Sequence, residues 1–137
     1  MKTYRHKVRV HWGDADPAKI VYYPNYFTWF DQSALFLFES VGLGWSTLTA
    51  KYGVPGLPIV EAKARFLAPC KFGEEIVVET HVAKWNEKTL ELSHVVMNGT
   101  TRAVEGYEIR IWVKADGSGK LKALAIPPEV RAAFEQE

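Results

Sequence analysis

From Pro24 to Val41 the chain reads PNYFTWFDQSALFLFESV, and this stretch restricts the fold more than any other. Proline suits a first helical position, because its missing N–H would have no partner there anyway. Behind it Tyr26, Phe27, Trp29, Phe30, Ala34, Phe36, Leu37, Phe38 and Val41 cover most of a helical circumference, leaving Thr28, Asp31, Gln32, Glu39 and Ser40 as the clearly polar positions. A helix in water that is apolar on nearly all sides has to be enclosed. Gly42 follows, a residue type favoured just past a helix end. The segments beyond it read as strands. The expected class is therefore α+β, with one long central helix wrapped by a curved, mainly antiparallel five-stranded sheet.

The strands are legible from alternation and turn chemistry. Tyr4, His6, Val8, Val10 and Trp12 share one face of a first strand, and Arg5, Lys7, Arg9 and His11 share the other. A short helical turn is expected around Trp45 and Leu48. After the stiff Val54-Pro55-Gly56-Leu57-Pro58 connection, the rest reads as a meander. Its strands are Ile59 to Leu67, Ile76 to Trp85, Leu90 to Met97 and Thr101 to Lys114. Asn98-Gly99 is the strongest hairpin signal. Asp116-Gly117-Ser118-Gly119 ends the last strand, and Glu129 to Glu137 reads as a small terminal helix. Residues 1–137 form a single domain. A curved sheet around one helix has open edges and a partly uncovered helix, so a homodimer is expected.

Composition narrows the function classes. The formal charge is +1, so an anionic ligand has to be held by a local cluster and nucleic acid is not an expected partner. Cys70 is the single cysteine and cannot form an intrachain disulfide, which fits a reducing cytoplasm. No apolar run approaches the roughly 20 residues that span a membrane. The four histidines are scattered, and none pairs at metal-ligand spacing, so no metal and no cofactor are expected. Gly-x-Ser-x-Gly and glycine-rich phosphate loops are absent.

Two carboxylates precede the helix in Gly13-Asp14-Ala15-Asp16-Pro17-Ala18. Two carboxylates without further oxygen ligands make a poor metal cage. Asp16 is either a turn residue bonded to its own loop, the usual meaning of Asp-Pro, or a carboxylate facing a reacting carbonyl at the helix start. Asp31 lies within the apolar helix, where a carboxylate is costly unless paired or exposed. Cys70 after Pro69 reads as a small buried apolar group.

The segment Gly13-Asp14, Asp16-Pro17-Ala18, Ile20-Val21, Tyr23-Pro24-Asn25-Tyr26, Trp29 and Asp31 resembles the 4-hydroxybenzoyl-CoA thioesterase family of the hotdog fold. The resemblance runs on through Pro58-Ile59-Val60 and Trp85. It implies an acyl-CoA thioesterase without a cofactor, acting on an aromatic acyl group. Asp16 falls on the family's catalytic aspartate, as nucleophile or general base, and the Tyr23 N–H on its thioester-oxygen donor. Asp31 falls beside the acyl-ring pocket, where it would accept a phenolic hydroxyl. Trp29, Pro58, Ile59 and Lys88 are carried over as substrate-binding positions. In the turn after Trp85, Asn86 and Glu87 replace positions that are basic in the family, and Lys88 keeps its charge. Pro24 stands where the branch acting on aliphatic acyl-CoAs has histidine. A dimer of dimers is the assembly the resemblance implies. The same apparatus acting on aliphatic or carrier-protein thioesters is the alternative, followed by a non-catalytic acyl-CoA-binding module.

Overall fold

A computed structural model describes residues 1–136 of the chain. Its elements are β1 (Thr3–Arg9), a 3-10 turn (Trp12–Asp14), α1 (Pro24–Ser40), α2 (Trp45–Tyr52), β2 (Ile59–Phe66), β3 (Glu75–Trp85), β4 (Thr89–Asn98), β5 (Thr101–Ile111), β6 (Val113–Ala115), β7 (Leu121–Ala123) and α3 (Pro128–Ala133). The five long strands form one sheet in the order β1-β3-β4-β5-β2, every neighbouring pair antiparallel. The helix α1 packs on the inner face of this sheet, which is the hotdog arrangement.

Five expectations change, the first being the terminal helix expected over Glu129 to Glu137, which runs Pro128–Ala133 while Glu137 lies outside the described residues. The strands after Pro58 are not one meander. β3, β4 and β5 are, but β2 lies beside β5 on the far edge, and residues 67–74 carry the chain across to β3. Turn signals mark where a chain reverses and do not say which strand it joins. The expected strand Thr101 to Lys114 is broken at Trp112. Trp112 and Val113 are both buried, which two-residue alternation cannot accommodate, and β6 leaves the sheet to pair with β7. The first strand stops at Arg9, and Trp12 sits exposed in the 3-10 turn. The Asn98-Gly99 hairpin forms one residue later than the motif suggests. Asn98 pairs with Thr101, and Gly99 takes φ +62° as the first central residue, a type II′ pattern.

The inner face is apolar at both ends and polar across the middle. One cluster holds Leu37, Phe38, Val82, Leu90, Leu92 and Trp112; the other holds Phe30, Ile76, Val78, Val96 and Val104. Between them runs a belt of side chains. His6 Nδ1 meets Ser33 Oγ at 2.8 Å. Thr80 Oγ1 meets His94 Nδ1 at 2.7 Å, and His94 Nε2 meets Glu108 Oε1 at 2.8 Å. Since Glu108 is the acceptor, Nε2–H donates and Nδ1 accepts from the Thr80 hydroxyl. Phe30 stacks on the His94 ring, centroids 4.5 Å apart and 3° from parallel. This is possible because Gly106, opposite His94, leaves room for the phenyl ring.

Burial holds the His94 imidazole below its ordinary value of 6.5, against a weaker opposing pull from Glu108. Burial also lowers His6 and His81. Between the lowered values and 6.5 the unfolded chain binds more protons than the folded one, so stability rises with pH there. This contribution is complete above 6.5 and is lost as pH falls below it. Thermal melting from pH 8 to pH 5 is expected to show a falling Tm below neutrality, with a shallower fall in His94→Gln. A wild-type Tm flat over that range would contradict it.

Candidate active site

The loop before α1 is tied down from several sides. His11 N–H donates to Asp14 Oδ2 at 2.8 Å, closing the 3-10 turn. The Asp14 carbonyl accepts from Tyr22 N–H and from the Asn25 side-chain amide, both at 2.8 Å. Asn25 therefore secures the loop and does not cap the helix. Val21 N–H donates to Cys70 O at 2.9 Å and Phe72 N–H to Lys19 O at 3.0 Å, which fastens the loop to the segment leading into β3. Lys19 has φ +67°, a backbone conformation disfavoured for residues with a Cβ.

Asp16 sits half-buried inside this loop. Its N–H donates to Ile20 O at 2.9 Å, and its carbonyl accepts from Lys19 N–H at 2.8 Å. Its Oδ1 accepts from Ala18 N–H at 2.8 Å. The turn reading of Asp-Pro holds for one oxygen, Oδ1, while Oδ2 has no partner among the described residues. A hollow of about 240 Å³ opens beside Trp12, Ala15, Asp16 and Pro17.

The helix start is uncapped. Tyr23 has helical backbone angles (φ −56°, ψ −34°), no side chain bonds to the first turn, and Pro24 follows. Asn25 N–H is taken by Tyr22 O at 3.0 Å and Tyr26 N–H by Tyr23 O at 3.2 Å. The Tyr23 N–H has no acceptor among the described residues. It carries the partial positive charge of a helix N-terminus, seven residues along the chain from Asp16. Beside it lies a hollow of about 290 Å³ lined by Tyr23, Tyr26, Phe66, Leu67, Pro69 and Cys70. Burial pushes the Cys70 thiol up, so it is a poor nucleophile there, as the sequence suggests.

The other sequence-derived positions lie elsewhere. Trp29 is 7% exposed and packs edge-to-face on Tyr26 within the core. Asp31 sits on α1 with its side chain 60% exposed, and its Oδ1 accepts from Arg110 Nη2 at 2.7 Å. Pro58 and Ile59 are exposed at the start of β2, and Lys88 is exposed in the β3–β4 turn. Asp16 and Tyr23 belong to the end of the sheet where β1 stops and β3 begins. Ile59 pairs with Arg110 at the opposite end, near Lys88. From Phe66 to Ile59 the strand spans on the order of 23 Å. One copy of the chain therefore does not bring Asp16 together with Pro58, Ile59 and Lys88. Lys63 and Arg65 lie on the outer face of β2, with Arg65 3.9 Å from Glu105.

Two buried charged residues have no counterpart in the sequence reading. Glu108 and Arg110 occupy inward positions of β5, at 1% and 3% exposure, while Tyr107, Ile109 and Ile111 face outward. Arg110 Nη1 donates to Leu57 O at 2.8 Å, and Nη2 donates to Asp31 and, at 3.2 Å, to Glu108 Oε2. The available signal was that two charges share one parity of a strand with Val104.

Residues 10–134 match the model of the thioesterase-like superfamily. The chain is 31% identical over 127 residues to the 4-hydroxybenzoyl-CoA thioesterase of Pseudomonas sp. (strain CBS-3), covering 88% of this chain and 89% of that protein. The structure superposes with a TM-score of 0.90 on a 4-hydroxybenzoyl CoA thioesterase mutant complexed with 4-hydroxybenzoyl CoA, at 28% identity, covering 98% of this chain and 99% of the other. A gentisyl-coenzyme A thioesterase matches with a TM-score of 0.81 and 32% identity, covering 97% of this chain and all (100%) of the other.

Proposed function

The chain belongs to the thioesterase-like superfamily and is a thioester hydrolase; from that premise we propose that it hydrolyses an aromatic acyl-CoA of the benzoyl or hydroxybenzoyl type. The observation that carries the reading is the pairing of a Tyr23 N–H without an acceptor and an Asp16 carboxylate with one oxygen unused, in a loop and helix start tied together through Asp14. The thioester oxygen accepts from Tyr23 N–H, which stabilises the charge that grows on it; one such donor is worth about 2.7–4 kcal/mol in the transition state. Asp16 Oδ2 then acts in one of two ways. It attacks the carbonyl carbon, giving an aspartyl–acyl anhydride and expelling CoA thiolate, and water cleaves the anhydride. Alternatively it takes a proton from water, whose oxygen attacks the same carbon. A thiolate leaves readily, so neither route requires a strong general acid.

Asp31 accepts a hydrogen bond from a ring hydroxyl, and Lys88 contributes to holding the CoA phosphates. The site forms between two copies. The exposed Tyr22, Tyr23, Phe66 and Leu67 near Asp16, and Ile59 and Val60 at the other end of β2, are apolar surface suited to burial in a homodimer. A two-fold partner running the other way brings its Pro58 and Ile59 toward this copy's Asp16. Among the described residues no helix is long and apolar enough to cross a membrane; the site we assign is cytoplasmic, where acyl-CoA is made.

Release of CoA thiol from benzoyl-, 4-hydroxybenzoyl-, phenylacetyl-, hexanoyl- and palmitoyl-CoA tests this. The aroyl esters are expected to lead in kcat/KM by about tenfold or more, the size of one well-placed polar or ring contact. Turnover confined to hexanoyl- and palmitoyl-CoA would overturn the aromatic assignment and leave the hydrolase.

A further inference from the structure

We propose that Arg110 is a positioning residue for acyl-group recognition, clamping Asp31 and the start of β2 into one unit; the inference rests on the role given above to Asp31. Arg110 is buried on the inner face of β5, yet its guanidinium reaches α1 and the connection before β2 as well as its own strand. Nη2 donates to Asp31 Oδ1 on α1 at 2.7 Å and to Glu108 Oε2 at 3.2 Å. Nη1 donates to the Leu57 carbonyl at 2.8 Å, the residue directly before Pro58 and Ile59. One planar fork therefore sets the spacing between the candidate hydroxyl acceptor and the candidate acyl-pocket wall. Asp31 spends Oδ1 on this contact and leaves Oδ2 with no partner among the described residues.

Stability alone is a weak account of Arg110. A buried ion pair gains little over well-packed apolar residues. Here Arg110 Nε is also buried with no partner, a further cost. What the arrangement secures is geometry. Behind Arg110 the chain continues through Glu108 Oε1 to His94 at 2.8 Å and on to Thr80 at 2.7 Å, so the guanidinium is braced from the sheet side. The Trp45 ring lies 5.8 Å from its Cζ on the other side. With His94 neutral, Glu108 and Asp31 are two carboxylates on one guanidinium. Of the two, only Asp31 reaches the surface, where its second oxygen suits a hydrogen-bond donor such as a ring hydroxyl. Lysine cannot reproduce the fork, because one ammonium does not donate in a plane to Leu57, Asp31 and Glu108 together.

The test is the ratio of kcat/KM for 4-hydroxybenzoyl-CoA over benzoyl-CoA in wild type, Asp31→Asn, Arg110→Lys and the double variant, with Tm recorded for each. Arg110→Lys is expected to lower the ratio about tenfold, as loss of a charged hydrogen bond would. If Arg110 acts through Asp31, the double variant has the same ratio as Asp31→Asn alone. A merely structural Arg110 would lower Tm and slow both substrates equally, leaving the ratio as in wild type, and that result overturns the proposal. So does a double variant whose ratio falls well below that of Asp31→Asn. Should Arg110→Lys fail to fold, Arg110→Met with Glu108→Gln removes both buried charges together, and its ratio is read the same way. A wild type that does not distinguish the two rings overturns the Asp31 reading and takes this one with it. A wild type that does, beside an Arg110→Lys that does too, overturns this one alone.

Discussion

Asp16→Asn is expected to lower kcat on the best aroyl-CoA by on the order of 10²–10⁴-fold if Asp16 is a base, and by more if it is the nucleophile. The variant isolates chemistry from folding. Asparagine keeps a side-chain oxygen that can accept from Ala18 N–H, the one bond the Asp16 carboxylate makes among the described residues. The backbone bonds to Ile20 and Lys19 are untouched. Tm should therefore stay within about 2 °C of wild type, the range of a half-exposed isosteric change. The amide can neither attack a thioester as a carboxylate does nor take a proton from water at neutral pH. Retention of more than about a tenth of the wild-type rate, with the fold intact, would remove Asp16 from the mechanism. The same substitution leaves the Tyr23 N–H in place, so substrate binding should outlast turnover.

The largest effect on stability is expected from Gly106→Ala. A Cβ at this position would stand 2.5 Å from the Lys63 carbonyl oxygen and 2.8 Å from Cε2 of Phe30. The first contact is with the backbone of the paired strand and the second with a ring wedged against His94, so neither neighbour yields cheaply. Gly106 is not among the glycines with positive φ, so the backbone conformation itself does not oppose alanine. The cost is one of space, about 3 kcal/mol at the upper end of ordinary overpacking. For a chain of this length that corresponds to a Tm lower by roughly 10 °C. Gly56→Ala is the control: its Cβ meets nothing within 4 Å and its φ is ordinary. A Gly106→Ala protein that melts with wild type would show that the Phe30–His94 stack is not held as tightly as drawn.

Much of this protein is readable without coordinates. The helix Pro24–Ser40 follows from a run with too few polar positions to leave any broad face in water. Alternation placed β2, β3 and β4 within a residue of their ends, and overran the end of β1 by three. The Asp-x-Asp-Pro loop and the Tyr-Pro helix start mark the candidate site through chemistry that is local: a turn carboxylate and a helix N-terminus lie within eight residues of each other. What needed the fold is the second half of the candidate site. Asp31 looks like an expensive carboxylate until Arg110, 79 positions away, is found against it. Glu108 and Arg110 look like surface charges on a strand until the helix is seen lying over them.

Local residue choice thus determined which segments are helix or strand, that the helix is enclosed, and where a candidate carboxylate lies a few residues ahead of an uncapped helix start. These depend on periodicity, backbone restriction and polar satisfaction over a few residues. Tertiary structure alone decided that β2 joins β5 at the far edge, that Trp112 breaks the last long strand, and that a polar belt from Thr80 through His94, Glu108 and Arg110 ends at Asp31. The reason is that a buried polar group is tolerable only with its partners in place, and here all but the Glu108–Arg110 pair lie 14 to 79 positions apart along the chain.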